Sequence, residues 1–515
     1  MLNLSVILQD SASRYPAKAA FTFMETTLTY QQVNQAANQV ANGLVSKGIL
    51  PGDKVALSCP NVLAFPILYY GIIKMGAVVV PLNILLKTDE IAYHLKDSDS
   101  KAYCCYTGTP ELPIGQMGYE AFQSVEACEY FFMIMPDMDM TSTVVEILTV
   151  AHLMEGQSEE FEMYQSKAED TCVIIYTSGT TGRPKGAELT HSNLLLNAIL
   201  IGDLMNSHSE DVGLIVLPLF HIFGMTVLLN AGVYKGGRGI LMTRFDAGGA
   251  FALMQKHAIT LFIGVPTMYW ALLNYHHPNV DCTAIASNLK LCLSGGASLP
   301  VKVLEDFEER FKLTIIEGYG MSEGSPVVTF NNVNTGRKPG SIGTPVWGVE
   351  VKLVNAQGAE VLQGEKGELL YRGHNVMKNY YKKPAETAMA LQNGWMHSGD
   401  IAVKDEEGFY FIVDRTKDMI IRGGFNIYPR EVEEVMIQHE AVSLVAVIGI
   451  PHEEMGEEVK AFVVLKDSHT VSAIELLNFT KARIAAYKYP RHIEFVAALP
   501  MSATGKILKK ELRKL

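Results

Sequence analysis

The chain has 515 residues, of which 48% are hydrophobic and 19% are charged, so it is long enough for several globular domains with large cores. Its 43 Lys and Arg residues stand against 55 Asp and Glu residues, which gives a formal net charge of −12 at pH 7. A chain with this balance has no global positive field, and this argues against nucleic acid as a partner. An anionic ligand would have to be held by local positive charge.

The cysteines and the first residues of the chain predict a reducing compartment. None of the seven cysteines has a CxxC spacing, and most lie in apolar surroundings, which is typical of inert thiols. Residues 1–20 contain no basic segment followed by a long apolar run, so we expect no secretory signal. We therefore expect a cytoplasmic protein. Peripheral contact with a membrane and assembly as a homodimer stay open.

One apolar stretch has the composition of a membrane segment. Residues 212–234 are nearly uncharged, but Pro218, His221 and Asn230 interrupt them and no basic clusters flank them. We expect two buried strands or helices there, and no transmembrane span.

The first 300 residues alternate between helical and strand patterns, apart from 100–168, which have no clear period and are expected to form surface elements. Apolar spacing predicts helices at 28–48, with Thr29 as N-cap, at 62–75 and at 192–204. Apolar runs predict strands at 54–58, 76–82, 212–217, 261–266 and 289–294. This alternation predicts an α/β fold with helix-covered, mostly parallel sheets.

The texture of the sequence changes at about residue 340. Short alternating runs predict small antiparallel strands at 350–354, 367–371 and 409–413, and after a charged segment the pattern restarts with a helix at 430–438 and strands at 444–450 and 459–465. We therefore expect a large N-terminal domain over 1–414, of which about 340–414 form a β-rich, barrel-like part. A hinge at 415–417 and a small, mobile α+β domain over 418–515 are expected to follow.

The segment 176–191, YTSGTTGRPKGAELTH, follows an apolar run and carries hydroxyl side chains, a Gly-Thr-Thr-Gly turn and Lys185. The backbone N–H groups and hydroxyls of such a loop can wrap anionic oxygens, to which a lysine adds charge. It is not a Walker loop, because Arg183 and Pro184 stand where that motif has its second Gly. The sequence therefore predicts a loop that holds phosphates.

Eight further motifs follow this segment or lie beyond it: PLFHIFG (218–224), SGGA (294–297), GYGMSE (318–323), GELLYRG (367–373), WMHSGD (395–400), DRTKD (414–418), GGFNIYP (423–429) and SATGK (502–506). Together with the segment 176–191, these motifs resemble the AMP-forming adenylating superfamily of acyl- and aryl-CoA synthetases, peptide-synthetase adenylation domains and firefly-type luciferases. They extend over essentially the whole chain. The wording GGFNIYPREVEE and VMKNYYKKPAET is closest to the fatty-acyl-CoA synthetase branch.

The resemblance implies a two-step reaction. ATP and Mg²⁺ would convert a medium- or long-chain fatty acid into acyl-AMP with release of pyrophosphate, and the thiol of coenzyme A would then displace AMP. Both steps concentrate negative charge, so positioning and electrostatic stabilisation suffice and no protein nucleophile is needed. Delivery to a carrier-protein phosphopantetheine in trans, or an aryl or short-chain acid, is the alternative. A third alternative is a nucleotide-binding sensor or a luciferase-like oxidase, which would use the same fold without releasing a thioester.

The resemblance also implies a role for particular residues. The loop would hold the β- and γ-phosphates, Tyr319 would stack on adenine, Asp400 would accept the ribose hydroxyls, and Lys417 matches the hinge. All residues that it assigns to nucleotide or CoA binding are Thr177, Ser178, Gly179, Thr180, Thr181, Gly182, Lys185, Gly295, Gly296, Ala297, Glu317, Gly318, Tyr319, Gly320, Asp400, Arg415, Lys417, Gly423 and Gly424.

Four residues are implied in catalysis. Lys506 would reach from the small domain to the carboxylate and the α-phosphate. Glu323, with the hydroxyl of Thr177, would hold Mg²⁺, a hard cation that prefers oxygen ligands. Ser322 stands where the family more often has Thr and keeps the hydroxyl. His221 would line the acyl pocket, although a His in such apolar surroundings is otherwise a core residue.

Overall fold

A computed structural model describes residues 2–137, 140, 147–177, 183–332, 336–467 and 469–515. The predicted loop residues Ser178, Gly179, Thr180, Thr181 and Gly182 lie outside the described residues.

Helices cover most of the large N-terminal part and recur in the C-terminal part. They are α1 (Val6–Arg14), α2 (Tyr30–Ser46), α3 (Ala64–Lys74), α4 (Thr88–Asp97), α5 (Ile114–Gln123), α6 (Val150–Met154), α7 (His191–Leu204), α8 (Ala231–Lys235), α9 (Ala247–His257), α10 (Pro266–Asn274), α11 (Cys282–Asn288), α12 (Val301–Phe311), α13 (Pro384–Ala390), α14 (Pro429–Met436), α15 (Ala473–Lys481) and α16 (Lys509–Leu512). A π-helix (Gly224–Asn230) precedes α8, and a single 3₁₀ turn spans Ser322–Gly324.

The strands of the described residues form four sheets. They are β1 (Ala19–Phe23), β2 (Thr26–Thr29), β3 (Lys54–Ser58), β4 (Val78–Pro81), β5 (Ser100–Tyr106), β6 (Tyr130–Ile134), β7 (Thr171–Thr177), β8 (Lys185–Thr190), β9 (Val212–Ile215), β10 (Arg238–Leu241), β11 (Leu261–Gly264), β12 (Leu291–Ser294), β13 (Ile315–Gly320), β14 (Val327–Phe330), β15 (Thr344–Pro345), β16 (Val349–Val354), β17 (Gly367–Gly373), β18 (Asn379–Tyr380), β19 (Leu391–Gln392), β20 (Trp395–Lys404), β21 (Tyr410–Arg415), β22 (Ile420–Arg422), β23 (Phe425–Ile427), β24 (Val442–His452), β25 (Gly456–Leu465) and β26 (His492–Phe495).

Two sheets build the large N-terminal part. One has nine strands in the order β15-β14-β13-β12-β11-β9-β10-β1-β2, and its five inner pairings from β13 to β1 are parallel. The other has seven strands in the order β18-β8-β7-β4-β3-β5-β6, and the pairings from β7 to β6 are parallel. The predicted α/β architecture of helix-covered, mostly parallel sheets is thus confirmed.

The remaining described strands form two mainly antiparallel sheets. The segment from β16 to β21 folds into a five-stranded sheet in which β21 pairs with β20. The last sheet has the order β23-β22-β25-β24, with β26 added in parallel to β25, and it carries α14, α15 and α16 of the small C-terminal domain. Arg415 is still part of β21 and Ile420 begins β22, so the predicted hinge at 415–417 overlaps the end of a strand. The hinge itself stays a prediction.

Local chemistry explains several element boundaries. The side chain of Thr29 accepts a hydrogen bond from the N–H of Gln32, and the Gln32 side chain accepts one from the N–H of Thr29, which makes a capping box at the start of α2. Gly48 follows the helix with φ of +77°, a conformation that a glycine adopts without steric cost. Strand β3 has the predicted bounds, whereas α3 begins at Ala64, two residues after the predicted start.

The expectation of surface elements at 100–168 is wrong for its most regular segment. Strand β5 lies between β3 and β6 in the seven-stranded sheet, and five of its seven residues are buried. A strand that is covered on both faces loses the alternation of polar and apolar residues, so no period marks it in the sequence.

The apolar stretch 212–234 is part of the core. It forms β9, the π-helix and the greater part of α8, and all seven residues of the π-helix are buried. Within the ranges described above, no helix has both the length and the apolar character to cross a membrane.

Candidate active site

The ends of several strands from different sheets meet in one cleft. Asp400 on β20 and Arg415 on β21 are register partners, and the Arg415 Nε lies 3.1 Å from the Asp400 Oδ1. The hydroxyl of Tyr319, at the end of β13, donates to the other oxygen, Oδ2, over 2.6 Å. Burial and the neighbouring Asp400 raise the pKa of Tyr319, so this phenol stays a neutral donor. Asp400 is only 4% exposed, and both its oxygens are held in place.

A second carboxylate lies in the same region. Glu323, on the 3₁₀ turn after β13, is buried, and its Oε1 accepts hydrogen bonds from Thr177 Oγ1 over 3.2 Å and from the Tyr380 hydroxyl over 2.8 Å. Among the described residues, Oε2 accepts no hydrogen bond from a side chain. Two hydroxyl groups therefore fix the carboxylate through one oxygen and leave the other for a ligand.

The three elements that bring these groups together belong to one sheet edge. Thr177 ends β7, Lys185 begins β8, and Tyr380 lies on β18, which pairs with β8. The Nζ of Lys185 lies 5.2 Å from the centre of the Tyr380 ring, a distance at which a cation is attracted to the ring face. Tyr380 thus contacts both the carboxylate and the lysine, and the motif analysis did not single it out.

The donor chemistry around Glu323 fits a magnesium ion. A carboxylate and a hydroxyl are hard oxygen ligands, and Mg²⁺ is commonly held by one or two protein oxygens while water and phosphate oxygens fill the other positions. Within the described part of the chain, no group of three His, Cys, Asp or Glu residues forms a dedicated metal cage. Thr177 and Glu323 would therefore act together with the phosphates of a nucleotide.

Removal of the Tyr380 hydroxyl should weaken the hold on Glu323. We expect Tyr380→Phe to raise the Mg²⁺ concentration needed for half-maximal activity by roughly 10-fold, since groups that orient a metal ligand typically contribute about 10- to 100-fold to affinity. Binding of Mn²⁺ in the presence of a nonhydrolysable ATP analogue, followed by electron paramagnetic resonance, should weaken in parallel. Tyr381→Phe is the matched control, because the Tyr381 hydroxyl donates to the distant Asp99. Equal behaviour of the two variants would contradict the proposed contact.

Lys506 reaches this cleft from the C-terminal domain. It follows a turn in which the carbonyl of Gly505 accepts a hydrogen bond from Thr267 Oγ1 of α10 over 2.9 Å. A Cβ atom at Gly296 would lie 3.5 Å from the Lys506 Cε. Burial and the positive charges of Arg415 and Lys417 lower the pKa of Lys506 to about 8, against the opposing pull of Asp400 and Glu323. Residues from positions 296 to 417 of the chain thus lie around the ammonium group of Lys506.

His221 lies near the same lysine. Its Nδ1 accepts a hydrogen bond from the N–H of Phe223 over 3.2 Å. Burial, with a smaller contribution from the charge of Lys506, lowers the pKa of His221 to about 3, so the imidazole is neutral at physiological pH. A neutral ring of this kind suits the wall of a pocket better than a group that transfers protons.

The glycines after β12 allow close packing in the cleft. A Cβ at Gly295 would lie 2.9 Å from the Phe223 ring and 3.3 Å from the carbonyl oxygen of Gly318, so a larger residue would force these segments apart. Gly296 has φ of +78°, which favours glycine. Ala297 follows them, and Gly318 and Gly320 lie on β13 beside Tyr319.

Several predicted site residues lie elsewhere or make other contacts. The carboxylate of Glu317 accepts a hydrogen bond from the N–H of Gly340 over 3.1 Å and faces Arg430 of the C-terminal domain. Gly423 and Gly424 form the turn between β22 and β23, where the N–H of Gly423 donates to the carbonyl of Met455. Ser322 begins the 3₁₀ turn that carries Glu323. The roles assigned to all these residues stay predictions.

Comparison with known proteins agrees with this arrangement. The family model described as AMP-binding enzyme matches residues 8–381, and the model described as AMP-binding enzyme C-terminal domain matches residues 431–506. A long-chain-fatty-acid–CoA ligase from Bacillus subtilis (strain 168) is 37% identical over 99% of this chain and 94% of its own length. A feruloyl-CoA synthase from an Amycolatopsis species is 37% identical over 95% of this chain and 94% of its own length.

Among solved structures, MatB from Rhodopseudomonas palustris with bound ATP superposes with a TM-score of 0.90 at 30% identity, covering 100% of this chain and 99% of that one. The structure of the same enzyme without ligand gives a TM-score of 0.81 over the same shares of both chains. Two family models that together span most of the chain, and a relative of 37% identity over nearly its full length, establish that this chain belongs to the family of AMP-binding enzymes.

Proposed function

We propose that this protein activates a fatty acid with ATP to form acyl-AMP and pyrophosphate, and then transfers the acyl group to the thiol of coenzyme A. The observation that carries the proposal is the position of Lys506 beside Asp400, Arg415 and Glu323. Burial and the charge of Arg415 lower the pKa of Lys506 to about 8, against the pull of Asp400 and Glu323, and the Lys506 side chain packs at Gly296, where a second negatively charged substrate would meet the phosphates.

The residues of this cleft divide the work of the first half-reaction. Asp400, which the Tyr319 hydroxyl holds in place, accepts the ribose hydroxyls, and Arg415 balances the charge of Asp400. Mg²⁺, held by Glu323 and Thr177 when bound, would neutralise phosphate charge. Lys506 donates hydrogen bonds to the attacking carboxylate and the α-phosphate, which brings two anions together and stabilises the charge that develops between them. No covalent bond to the protein is formed.

A small cavity of about 40 Å³ with a partly apolar lining supports a fatty acid as the substrate. It lies between the nine-stranded sheet and the π-helix, and Gly213, Val227, Leu228, Gly232 and Ile263 are among the residues that line it. The π-helix begins three residues after His221, and Ile263 precedes Val265, which packs against Gly505 beside the catalytic lysine. The cavity is therefore lined by the π-helix and by β11, which are adjacent in sequence to His221 and Val265 near Lys506. The B. subtilis relative, a long-chain-fatty-acid–CoA ligase, supports the same substrate class.

An aryl acid is the second candidate. The feruloyl-CoA synthase is as similar in sequence as the fatty-acid ligase, so identity alone does not separate the two classes. The aliphatic part of the cavity lining, which includes Val227, Leu228 and Ile263, supports the fatty acid, whereas Asp211, Lys235 and Arg238 make another part of the lining polar.

The activity is tested by measuring AMP and pyrophosphate with a panel of acids and acceptors. The panel contains hexanoate, dodecanoate, hexadecanoate, benzoate and ferulate, each with coenzyme A and with a phosphopantetheinylated carrier protein. The proposal requires the highest kcat/KM for dodecanoate or hexadecanoate with coenzyme A. A preference for ferulate would favour the aryl alternative, and a preference for the carrier protein would replace the acceptor.

Gly213 offers a way to shorten the cavity. A Cβ at this position has no atom within 4 Å, and the residue lies in an extended strand, so a side chain can be added without backbone strain. We expect Gly213→Val to lower kcat/KM for hexadecanoate about 10-fold and to leave hexanoate unchanged, because crowding a packed apolar site with the three carbon atoms of an isopropyl group costs about 1–3 kcal/mol. Gly213→Ala is the graded control, and its kcat/KM for hexadecanoate should lie between the values of the wild-type protein and of Gly213→Val. An equal loss with both acids would show that the cavity does not hold the chain.

A further inference from the structure

One helix contacts the three outer strands that carry the phosphate and metal groups of the cleft. Helix α4 connects β4 to β5, and its side chains reach the end of β7, the residue before β8 and the segment after β18. These strands, in the order β18-β8-β7, form one edge of the seven-stranded sheet. The side chains that make the contacts are those of Tyr93 and Asp97, which are four residues apart and therefore lie on one face of α4.

Asp97 connects two of these places. The hydroxyl of Tyr176 on β7 donates a hydrogen bond to the Asp97 Oδ2 over 3.0 Å, and the Nζ of Lys383 lies 3.0 Å from the Asp97 Oδ1. Lys383 is the N-cap residue of α13 and follows β18 by three residues. The Asp97 side chain is only 13% exposed. Each of its two oxygens thus holds a different segment of the sheet edge.

Tyr93 holds the third place. Its hydroxyl donates a hydrogen bond to the carbonyl of Pro184 over 2.8 Å, and the guanidinium of Arg183 lies 5.3 Å from the centre of its ring, which attracts a cation. The ring of His94, the next residue of α4, contacts the ring of Tyr176 edge-on, with 4.4 Å between the centres. Helix α4 therefore contacts both the end of β7 and the residues that lead into β8.

The residues that α4 binds stand next to residues of the candidate phosphate and metal site. Tyr176 precedes Thr177, whose hydroxyl donates to Glu323, and Pro184 precedes Lys185. Thr177 and Lys185 are also register partners across β7 and β8. Successive residues of a strand point to opposite faces of a sheet, so a contact that fixes one residue also fixes the direction of its neighbour. The contacts of α4 thus fix the backbone beside Thr177 and beside Lys185.

We propose that Asp97 and Tyr93 are positioning residues that hold Thr177 and Lys185 in place for the binding of Mg²⁺ and the phosphates of ATP. Neither residue touches the substrate, since both act through the strand residues that they bind. Donors and ligands that are held in place before the substrate arrives stabilise charge without reorganising. The proposal rests on the proposed function and concerns its first half-reaction, because the β- and γ-phosphates leave as pyrophosphate before coenzyme A reacts.

A second carboxylate near the end of the same helix offers a matched control. Asp99 follows α4 by two residues, accepts a hydrogen bond from the Tyr381 hydroxyl over 2.7 Å and pairs with Lys382. Its partners are of the same kinds as those of Asp97, a tyrosine hydroxyl and a lysine ammonium. Neither partner belongs to β7 or to the residues that lead into β8. Loss of Asp99 therefore removes comparable bonds without releasing Thr177 or Lys185.

The test measures the two half-reactions separately in the full-length protein. Acid-dependent exchange of pyrophosphate into ATP reports the first, and release of AMP from preformed acyl-AMP by coenzyme A reports the second. We expect Asp97→Ala to raise the KM for ATP in the exchange by about 10-fold, since groups that orient a metal ligand typically contribute about 10- to 100-fold to affinity. The KM for the acid and the rate of the second half-reaction should not change. Asp97→Asn keeps an acceptor for the Tyr176 hydroxyl and should lose less, and Asp99→Ala should change none of these values.

Tyr93→Phe tests the other contact with a smaller change to the fold. It removes one hydroxyl and keeps the ring that faces Arg183. We expect the KM for ATP to rise by about 5-fold, which corresponds to the loss of one hydrogen bond. This variant decides the proposal if Asp97→Ala does not fold.

A second readout does not depend on turnover. Binding of Mn²⁺ together with a nonhydrolysable ATP analogue, followed by electron paramagnetic resonance, should weaken by about 10-fold in Asp97→Ala and keep its wild-type strength in Asp99→Ala. Wild-type binding in both Asp97→Ala and Tyr93→Phe would overturn the proposal. Equal losses in the two half-reactions, or equal effects of Asp97→Ala and Asp99→Ala, would also overturn it, because they would show that α4 only supports the fold. Absence of exchange in the wild-type protein with every acid would refute the proposed function, and the Mn²⁺ measurement would then decide the role of α4.

Discussion

Lys506→Ala should slow acyl-adenylate formation by about 10²- to 10³-fold while it leaves the rest of the cleft intact. Removal of one preorganised charge from the site of a developing negative charge typically costs about 10²- to 10³-fold in rate, or roughly 3–4 kcal/mol. The side chain makes no ion pair within 4 Å in the described part of the chain, so its loss leaves no buried partner unpaired. Pyrophosphate exchange measures the loss. Thioester formation from preformed acyl-AMP should continue, because that step does not need two anions to be brought together.

Lys510→Ala is the matched control for this variant. Lys510 is an exposed lysine four residues further along and should contribute nothing to either step.

A second check of the role of Lys506 uses the pH dependence of the first half-reaction. Because burial lowers the pKa of Lys506 to about 8, the charged form that we expect to be active is lost as the pH rises through that value. The kcat/KM of the first half-reaction should therefore fall above about pH 8. A variant that adenylates as fast as the wild-type protein would remove Lys506 from the mechanism.

Glu323→Gln should slow the first half-reaction because it weakens binding of Mg²⁺, and not because it weakens binding of the carboxylic acid substrate. The amide keeps an oxygen that can accept from Thr177 and Tyr380, so the packing is preserved, but it removes the negative charge that attracts a divalent cation. We expect kcat/KM for Mg²⁺ and ATP to fall by about 10²-fold or more. Excess Mg²⁺ should restore part of the activity.

Glu368→Gln is the control for Glu323→Gln. Glu368 lies on β17, and its carboxylate binds His397 and accepts a hydrogen bond from the N–H of Gly399. It thus contacts the motif that carries Asp400, but no metal role is predicted for it. It should keep the wild-type dependence on Mg²⁺. If Glu323→Gln required no more Mg²⁺ than the wild-type protein, the ion would have to be held by other groups.

Motif order predicted which segments meet, but it did not predict how their side chains pair. Asp400 and Arg415 were assigned to the same nucleotide, and the antiparallel pairing of β20 with β21 indeed sets them side by side. The hydroxyl of Tyr380 on Glu323 bridges 57 positions and depends on the addition of β18 to the edge of β8, which no local period encodes. Tertiary contacts of this kind leave no trace in composition or spacing.

Glu317 shows what a motif does not specify. Its place before Gly318 in a nucleotide motif predicted a ligand contact, which stays a prediction, and the motif gave no sign that its carboxylate accepts a hydrogen bond from the N–H of Gly340. A motif assigns a residue to a region of the fold, whereas the direction of a side chain follows from the packing around it. Strand β5 was missed for a related reason, because burial on both faces removed its pattern.

The short strand β18 has a mechanical consequence. It belongs in sequence to the segment between β17 and β19 but pairs with β8, where Asn379 also donates to Glu188 and Lys378 bonds to the β8 backbone. This pairing of two residues connects the β-rich segment to the seven-stranded sheet, so we expect the segment and the sheet to move as one rigid body. Any rotation between the large N-terminal part and the C-terminal domain must then occur at the few peptide units after β21. Lys506 would move together with the entire last sheet.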